Sequence, residues 1–180
     1  MFGLFRKKKG TPKPDVSIEI TDDSGFLAII DPDAYSGFVH ADWTLDMIQR
    51  HFLEEMRERH LLIWRTGLEH MWQVGVLFQP GKVSGFREIV GSISSSKGRF
   101  LLTNYESLTM AAQFPDVRLP QKHEQGQILA VSPGCCDCRV VQLSDPETDA
   151  PFEEPVSFIY EITQATSPKE VWSEIPWGGV

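Results

Sequence analysis

The sequence predicts an α+β fold, with a mostly antiparallel sheet covered by one long amphipathic helix (about 43–59) plus a shorter helix (about 105–114). Three observations carry that expectation. Short apolar runs separated by turn residues fill most of the chain. Only those two stretches place apolar residues at three- and four-residue steps. Several connections between runs are too short for the crossovers that a parallel sheet requires. The 180 residues divide into a flexible basic arm (1–14), a single α+β domain (15–166) and a C-terminal segment (167–180).

In the arm, Pro12 and Pro14 oppose regular structure and the run Arg6 to Lys9 repels itself. Val16, Ile18 and Ile20 then alternate with polar residues. Residues 21–25 supply turn chemistry, and 26–30 are apolar, which predicts an opening β-hairpin. Pro32 ends the second strand, because proline cannot donate to the ladder.

Asp42 or Thr44 can cap the first helix by accepting from amides of its first turn. Leu45, Ile48, Phe52 and Met56 form its apolar stripe, while Arg50, Glu54, Glu55, Arg57 and Glu58 lie mostly on the other face. Strands follow at 61–64 and 72–78, and a second hairpin is predicted from 89–95 and 100–103 around Lys97-Gly98. Asn104 is positioned to cap the second helix and Pro115 to end it. The last strands are 128–131, 136–143 and 156–162. No internal repeat is visible.

Charge is the most biased property. Residues 1–14 hold five bases and no acid, which leaves 12 of the 17 bases against all 25 acids, or −13, in the remainder. Residues 140–180 carry eight acids against Lys169 alone. Such a body disfavours specific nucleic-acid binding, which needs bases to neutralise phosphates. It favours either plain solubility or a basic protein partner, which Asp145, Glu147, Asp149, Glu153 and Glu154 would meet. Trp172 and Trp177 are candidate anchors, since exposed tryptophans often carry binding energy.

Motifs for catalysis are absent. Residues 91–98 resemble a phosphate loop only superficially, because the glycine spacing is wrong. His123 with Cys135, Cys136 and Cys138 is the nearest thing to a zinc set. Adjacent cysteines in extended chain point to opposite faces, which opposes it. Asp137 beside the thiols also works against a reactive thiolate. His51 with Glu54 and Glu55 could grip a metal, but lacks the second His-carboxylate set. No cofactor is expected.

No run approaches the ~18 apolar residues of a membrane span, and the N-terminus does not read as a secretory signal. An odd cysteine count argues for a reducing cytoplasm. Phe2, Leu4 and Phe5 before the base run would give residues 1–9 weak peripheral contact with an anionic membrane. The expected function is therefore a non-catalytic protein-binding domain with an acidic surface, neutralising a basic toxin or enzyme in the manner of bacterial immunity proteins. The alternatives are a small enzyme using the cysteines or His123, and a membrane-surface adaptor recruited by the arm.

Overall fold

The computed structural model describes residues 12–147 and 156–178. Within them the strands form two stacked sheets, where one was expected. The elements in chain order are β1 (Val16–Asp22), β2 (Phe26–Ile30), α1 (Leu45–Arg57), β3 (Leu61–Arg65), β4 (His70–Leu77), β5 (Arg87–Ser95) and β6 (Arg99–Asn104). There follow α2 (Tyr105–Gln113), a 3-10 helix (Lys122–Gln127), β7 (Ile128–Ala130), β8 (Gly134–Gln142) and β9 (Phe158–Gln164). The first sheet has the order β1-β4-β9-β8-β5 and the second β3-β2-β6-β7. Among the described residues every pair is antiparallel except β4 with β9.

Burial explains the stacking. Ile18, Trp72, Val74, Ile93, Val140, Phe158 and Tyr160 of the first sheet meet Leu27, Ile29, Leu62, Trp64, Phe100 and Leu102 of the second in one core. The opposite face of the second sheet (Ala28, Ile30, Leu61, Ile63, Leu101) packs on Ile48, Phe52 and Met56 of α1 and on Leu108 and Ala112 of α2. The second sheet is therefore covered on both sides, which is why β2 and β3 read as continuous apolar runs rather than alternating ones.

The helix expected over about 43–59 is shorter by about a turn. Thr44 caps it, its side chain accepting from the Met47 N–H at 3.3 Å, and the chain turns out at Arg59 with φ 62. Leu45, placed in the apolar stripe, is instead 59% exposed, and Glu55, placed on the outer face, is buried with His60 Nδ1 3.0 Å from its carboxylate. Asn104 caps α2 by accepting from the Ser107 N–H at 2.9 Å.

Neither expected hairpin forms. β1 pairs with β4 while β2 pairs with β3 and β6. Likewise β5 pairs with β8 while β6 pairs with β2 and β7. The turns at 23–25 and 96–98 are corners that carry the chain from one sheet to the other. Turn chemistry specifies a reversal of direction, but which partner a strand meets is set by long-range burial.

These corners reveal a repeat that residue identity hides. β1 and β4 belong to the first sheet and flank β2-α1-β3; β5 and β8 belong to it and flank β6-α2-β7. Two ββαββ units thus take matching places in the strand order of both sheets, and β9 fills the gap between β4 and β8. That position also accounts for the parallel pair, because β9 can be antiparallel to only one of two opposed strands.

The end of β1 is fixed by a buried carboxylate. Asp22 is 0% exposed and accepts from the N–H groups of Ser24 (3.2 Å) and Phe26 (2.9 Å) on one oxygen. Its other oxygen accepts from Thr66 Oγ1 (2.8 Å) and Trp72 Nε1 (3.0 Å). One side chain therefore ties the first corner to the β3–β4 turn. A C-terminal strap closes the open side between β5 and β3. Lys169 N–H donates to Ser92 Oγ (2.7 Å), Trp172 Nε1 to the Val90 carbonyl (2.9 Å), and Arg65 N–H to the Pro176 carbonyl (3.1 Å). Gly91 makes room for it, since a Cβ there would stand 2.7 Å from the Trp172 ring.

Replacing Asp22 by Ala strands two buried donors and frees two amides. It should lower stability by about 3 kcal/mol in urea unfolding with an unchanged m value. A loss near zero would show that Asp22 does not hold the corner. Arg99 grips Asp33 at 2.6 and 2.7 Å and Lys97 stands 3.3 Å away, which holds the Asp33 carboxyl at about 2. The folded value lies below the unfolded one, so this contribution is present above about pH 4 and fades as pH falls toward 2. Asp33→Asn should flatten that part of an acid-unfolding curve.

Candidate functional site

Two of the sheet-crossing turns, β1–β2 and β3–β4, wall a cleft of about 710 Å³ at one corner of the molecule. Ser24, Gly25 and Phe26 come from the first turn, and Arg65, Gly67, Leu68 and Glu69 from the β3–β4 turn. Phe86 and Arg87 open β5, Asp145, Pro146 and Glu147 follow β8, and Trp177 arrives on the strap. Gly67 is required here. It has φ +89, and a Cβ would stand 2.8 Å from Pro146.

Arg87 is the organised group of this cleft. Its Nε donates to Gln142 Oε1 at 2.7 Å and its Nη2 to the Thr66 carbonyl at 2.9 Å. Gln142 is itself 1% exposed and donates to the same Thr66 carbonyl. The guanidinium lies 4.4 Å from the Trp177 ring and 5.7 Å from Phe86. Burial lowers its pKa, opposed by the charges of Asp145 and Glu147. Arg65 stacks over Phe26 at 5.0 Å. Phe86 and Leu68 are 50% and 39% exposed, so the cleft offers rigid apolar surface beside fixed charge.

Three of the predicted partner-binding residues, Asp145, Glu147 and Trp177, therefore share one cleft. Trp172 does not join them; it lines a neighbouring groove with Ile89 and Val90, half-buried against β5. Asp149, Glu153 and Glu154 lie outside the described residues, as do residues 1–9 of the basic arm. The surface around the two described acids is not uniformly negative, because Arg65 and Arg87 stand among them.

The cysteines and His123 do not gather. Cys136 and Cys138 face the inter-sheet core from β8, where burial pushes their thiols up to about 11 and about 12. Cys135 is half-buried on the other face of the strand. His123 lies on the 3-10 helix and lines a different cleft. Among the described residues no three His, Cys, Asp or Glu side chains are placed to hold one metal ion. Lys97, in the stretch resembling a phosphate loop, pairs with Asp33. His51 packs on Tyr35 and Phe52, and burial lowers its pKa. No helix among the described residues is long and apolar enough to cross a membrane.

Sequence reasoning missed a second cleft, of about 470 Å³, between β1, α2 and the 3-10 helix. Glu19, Asp23, Glu106, Glu124 and His123 line it, and among the described residues no lysine or arginine does. Glu124 is 1% exposed and fully engaged: Thr103 Oγ1 donates to one oxygen and the Gln121 N–H to the other at 2.7 Å. These acids are dispersed over a hundred residues of chain. The one local sign was Glu19, on the polar phase of the β1 alternation.

The fold and the corner cleft together define a two-sheet α+β domain with an aromatic- and arginine-lined cleft at one corner. No protein-family model and no curated protein sequence matches the chain. Two solved structures share its fold. One, described as Crocagin biosynthetic gene J, matches over 83% of this chain and 94% of its own, at 14% identity and a TM-score of 0.53. The other is ComJ from Bacillus subtilis, described as an inhibitor of the DNA degrading activity of NucA. It matches over 87% of this chain and 100% of its own, at 10% identity and a TM-score of 0.50.

Thiol labelling tests the cysteine placement. In the native protein at pH 8, Cys135 should react first, with Cys136 and Cys138 labelled only after unfolding. Equal labelling of all three would contradict the buried positions.

Proposed function

We propose that this chain is a non-catalytic protein-binding domain that docks a basic protein partner at the corner cleft. The supporting observation is the convergence of Asp145, Glu147 and Trp177 around Arg87. Tryptophan and arginine dominate interface hot spots because each buries much surface and keeps a directed polar edge. Arg87 is already held by Gln142, Thr66 and Trp177, so little ordering is needed on binding. Glu69, Asp145 and Glu147 would steer a cationic surface toward this apolar floor.

The fold of ComJ lends the same direction, since that protein inhibits the DNA degrading activity of a nuclease. A role of this kind here would be neutralisation of a basic toxin or enzyme by occlusion. The Cys136 and Cys138 thiols sit in the core with raised pKa values.

The test is association kinetics with a partner isolated on the full-length protein, or with a cationic nuclease offered directly. Asp145→Lys with Glu147→Lys should slow association at least about fivefold at low salt, with the difference shrinking as salt screens the charges. Trp177→Ala should act mainly on dissociation, raising it about tenfold or more. If both variants bind like the parent, the cleft is not the docking site.

A further inference from the structure

We infer that the outer face of α2, together with the loop at 36–39 beside it, is a self-association surface that seats the same face of a second copy of this chain. The inference is independent of the corner cleft, and none of the residues that carry it lines that cleft.

The contrast between the two helices points to it. α1 and α2 hold matching places in the two ββαββ units, and both cover the second sheet. A helix so placed normally turns charged residues to water. α1 does this with Asp46, Arg50, Glu54 and Arg57, all exposed. α2 carries no charged residue after Glu106. What it exposes instead is Met110 and, one turn on at its C-cap, Phe114, at 44% and 41%. Phe38, 46% exposed, shares a cleft lining with Ala111 of the same helix. Its loop is pinned there, because the Val39 and His40 N–H groups donate to the Ala112 carbonyl at 2.9 and 3.1 Å. Gly37 permits the approach, since a Cβ there would stand 3.0 Å from that of Ala111. Three large apolar side chains are thus held out on fixed backbone, and covering them costs little ordering.

The polar groups of this face are already paired within the chain. Thr109 Oγ1 donates to the Tyr105 and Glu106 carbonyls at 2.9 and 3.1 Å. Arg118 Nη1 donates to the Pro115 and Val117 carbonyls at 2.6 and 2.9 Å, which ties the guanidinium to its own turn. A covering surface therefore needs no hydrogen-bonding groups of its own. Charge then selects the occupant. A basic partner or an anionic membrane requires a charged face to meet. Past Glu106, the helix and the turn after it hold one acid, Asp116, and one base, Arg118, which cancel. Copies of a chain with net charge −8 repel over most of their surface, so they meet most easily where charge is lowest. A twofold axis near Phe114 would set Met110 of one copy against Phe38 of the other, and Asp116 toward the other's Arg118. A contact centred on three half-exposed side chains is smaller than the roughly 800 Å² per partner of a standard interface. The dimer is accordingly weak, with a dissociation constant of about 10–100 μM.

Sedimentation equilibrium of the full-length protein from about 1 μM to about 1 mM, at low and high salt, tests this. A monomer–dimer equilibrium is expected, kept or strengthened in about 0.5 M salt because the contact is apolar. Phe114→Lys should weaken the dimer at least about tenfold, since it puts a like charge from each copy at the centre of the contact. Arg50→Ala on the water-facing side of α1, and Asp145→Lys with Glu147→Lys in the corner cleft, should each change it less than about twofold. Circular dichroism melts establish that every variant is folded. If Phe114→Lys does not fold, Met110→Lys takes its place with the same expected loss. A chain that stays monomeric to about 1 mM overturns the inference. So does a dimer that the charge at Phe114 or Met110 leaves unchanged. A dimer that dissolves in about 0.5 M salt overturns it in favour of pairing between opposite charges of two copies. Loss of the dimer in Asp145→Lys with Glu147→Lys would move the contact to the corner cleft and overturn it too. A dimer that survives those two changes while partner binding at the corner cleft is lost, or never found, leaves this surface standing whatever becomes of the functional proposal.

Discussion

The four hydrogen bonds to Asp22 are the interaction on which the rest of the structure leans. A carboxylate with no exposed surface is tolerated only when its oxygens are fully engaged. Here the donors come from the β1–β2 corner, from Thr66 after β3 and from Trp72 in β4. The same Thr66 turns its carbonyl toward Arg87 and Gln142. A chain of polar contacts therefore runs from the buried corner to the floor of the corner cleft. The geometry of the surface is inherited from the geometry of the core.

Both clefts stand where the two sheets exchange strands. In a sandwich, turns that stay within one sheet project outward at its ends. Turns that cross between sheets instead bring residues of two layers side by side. The β1–β2 and β3–β4 corners do this for the corner cleft, whereas the acidic cleft forms where edge strand β1 meets α2 and the 3-10 helix of the other layer. The strap completes the first by bringing Trp177 onto Arg87 while covering the edges of β5 and β3. An uncovered edge strand invites pairing with other chains, so the strap also protects the sandwich.

The charge arrangement is less simple than a uniformly negative body. Asp145 and Glu147 sit beside Arg65 and Arg87, and their effect is to frame an aromatic surface rather than to form an acid patch. The purely acidic concavity lies elsewhere, built from Glu19, Asp23, Glu106 and Glu124. Net charge reports how strongly a molecule attracts cations, but only the placement of each carboxylate decides where contact is made.

Much of the local structure could be read directly. Thr44 and Asn104 cap their helices because a short polar side chain before an apolar stripe has a free amide to satisfy. The strand runs stand close to where alternation and turn residues put them, and Cys136 and Cys138 are interior as their common phase implies. Three matters depended on contacts across the chain. The sheet that β1 and β2 each join, the pairing of β9 between β4 and β8, and the gathering of Glu19 and Glu106 around one cleft all rest on residues far apart in sequence. Periodicity states which face of a strand is buried; it carries no record of the partner that buries it, and that choice belongs to the packed molecule.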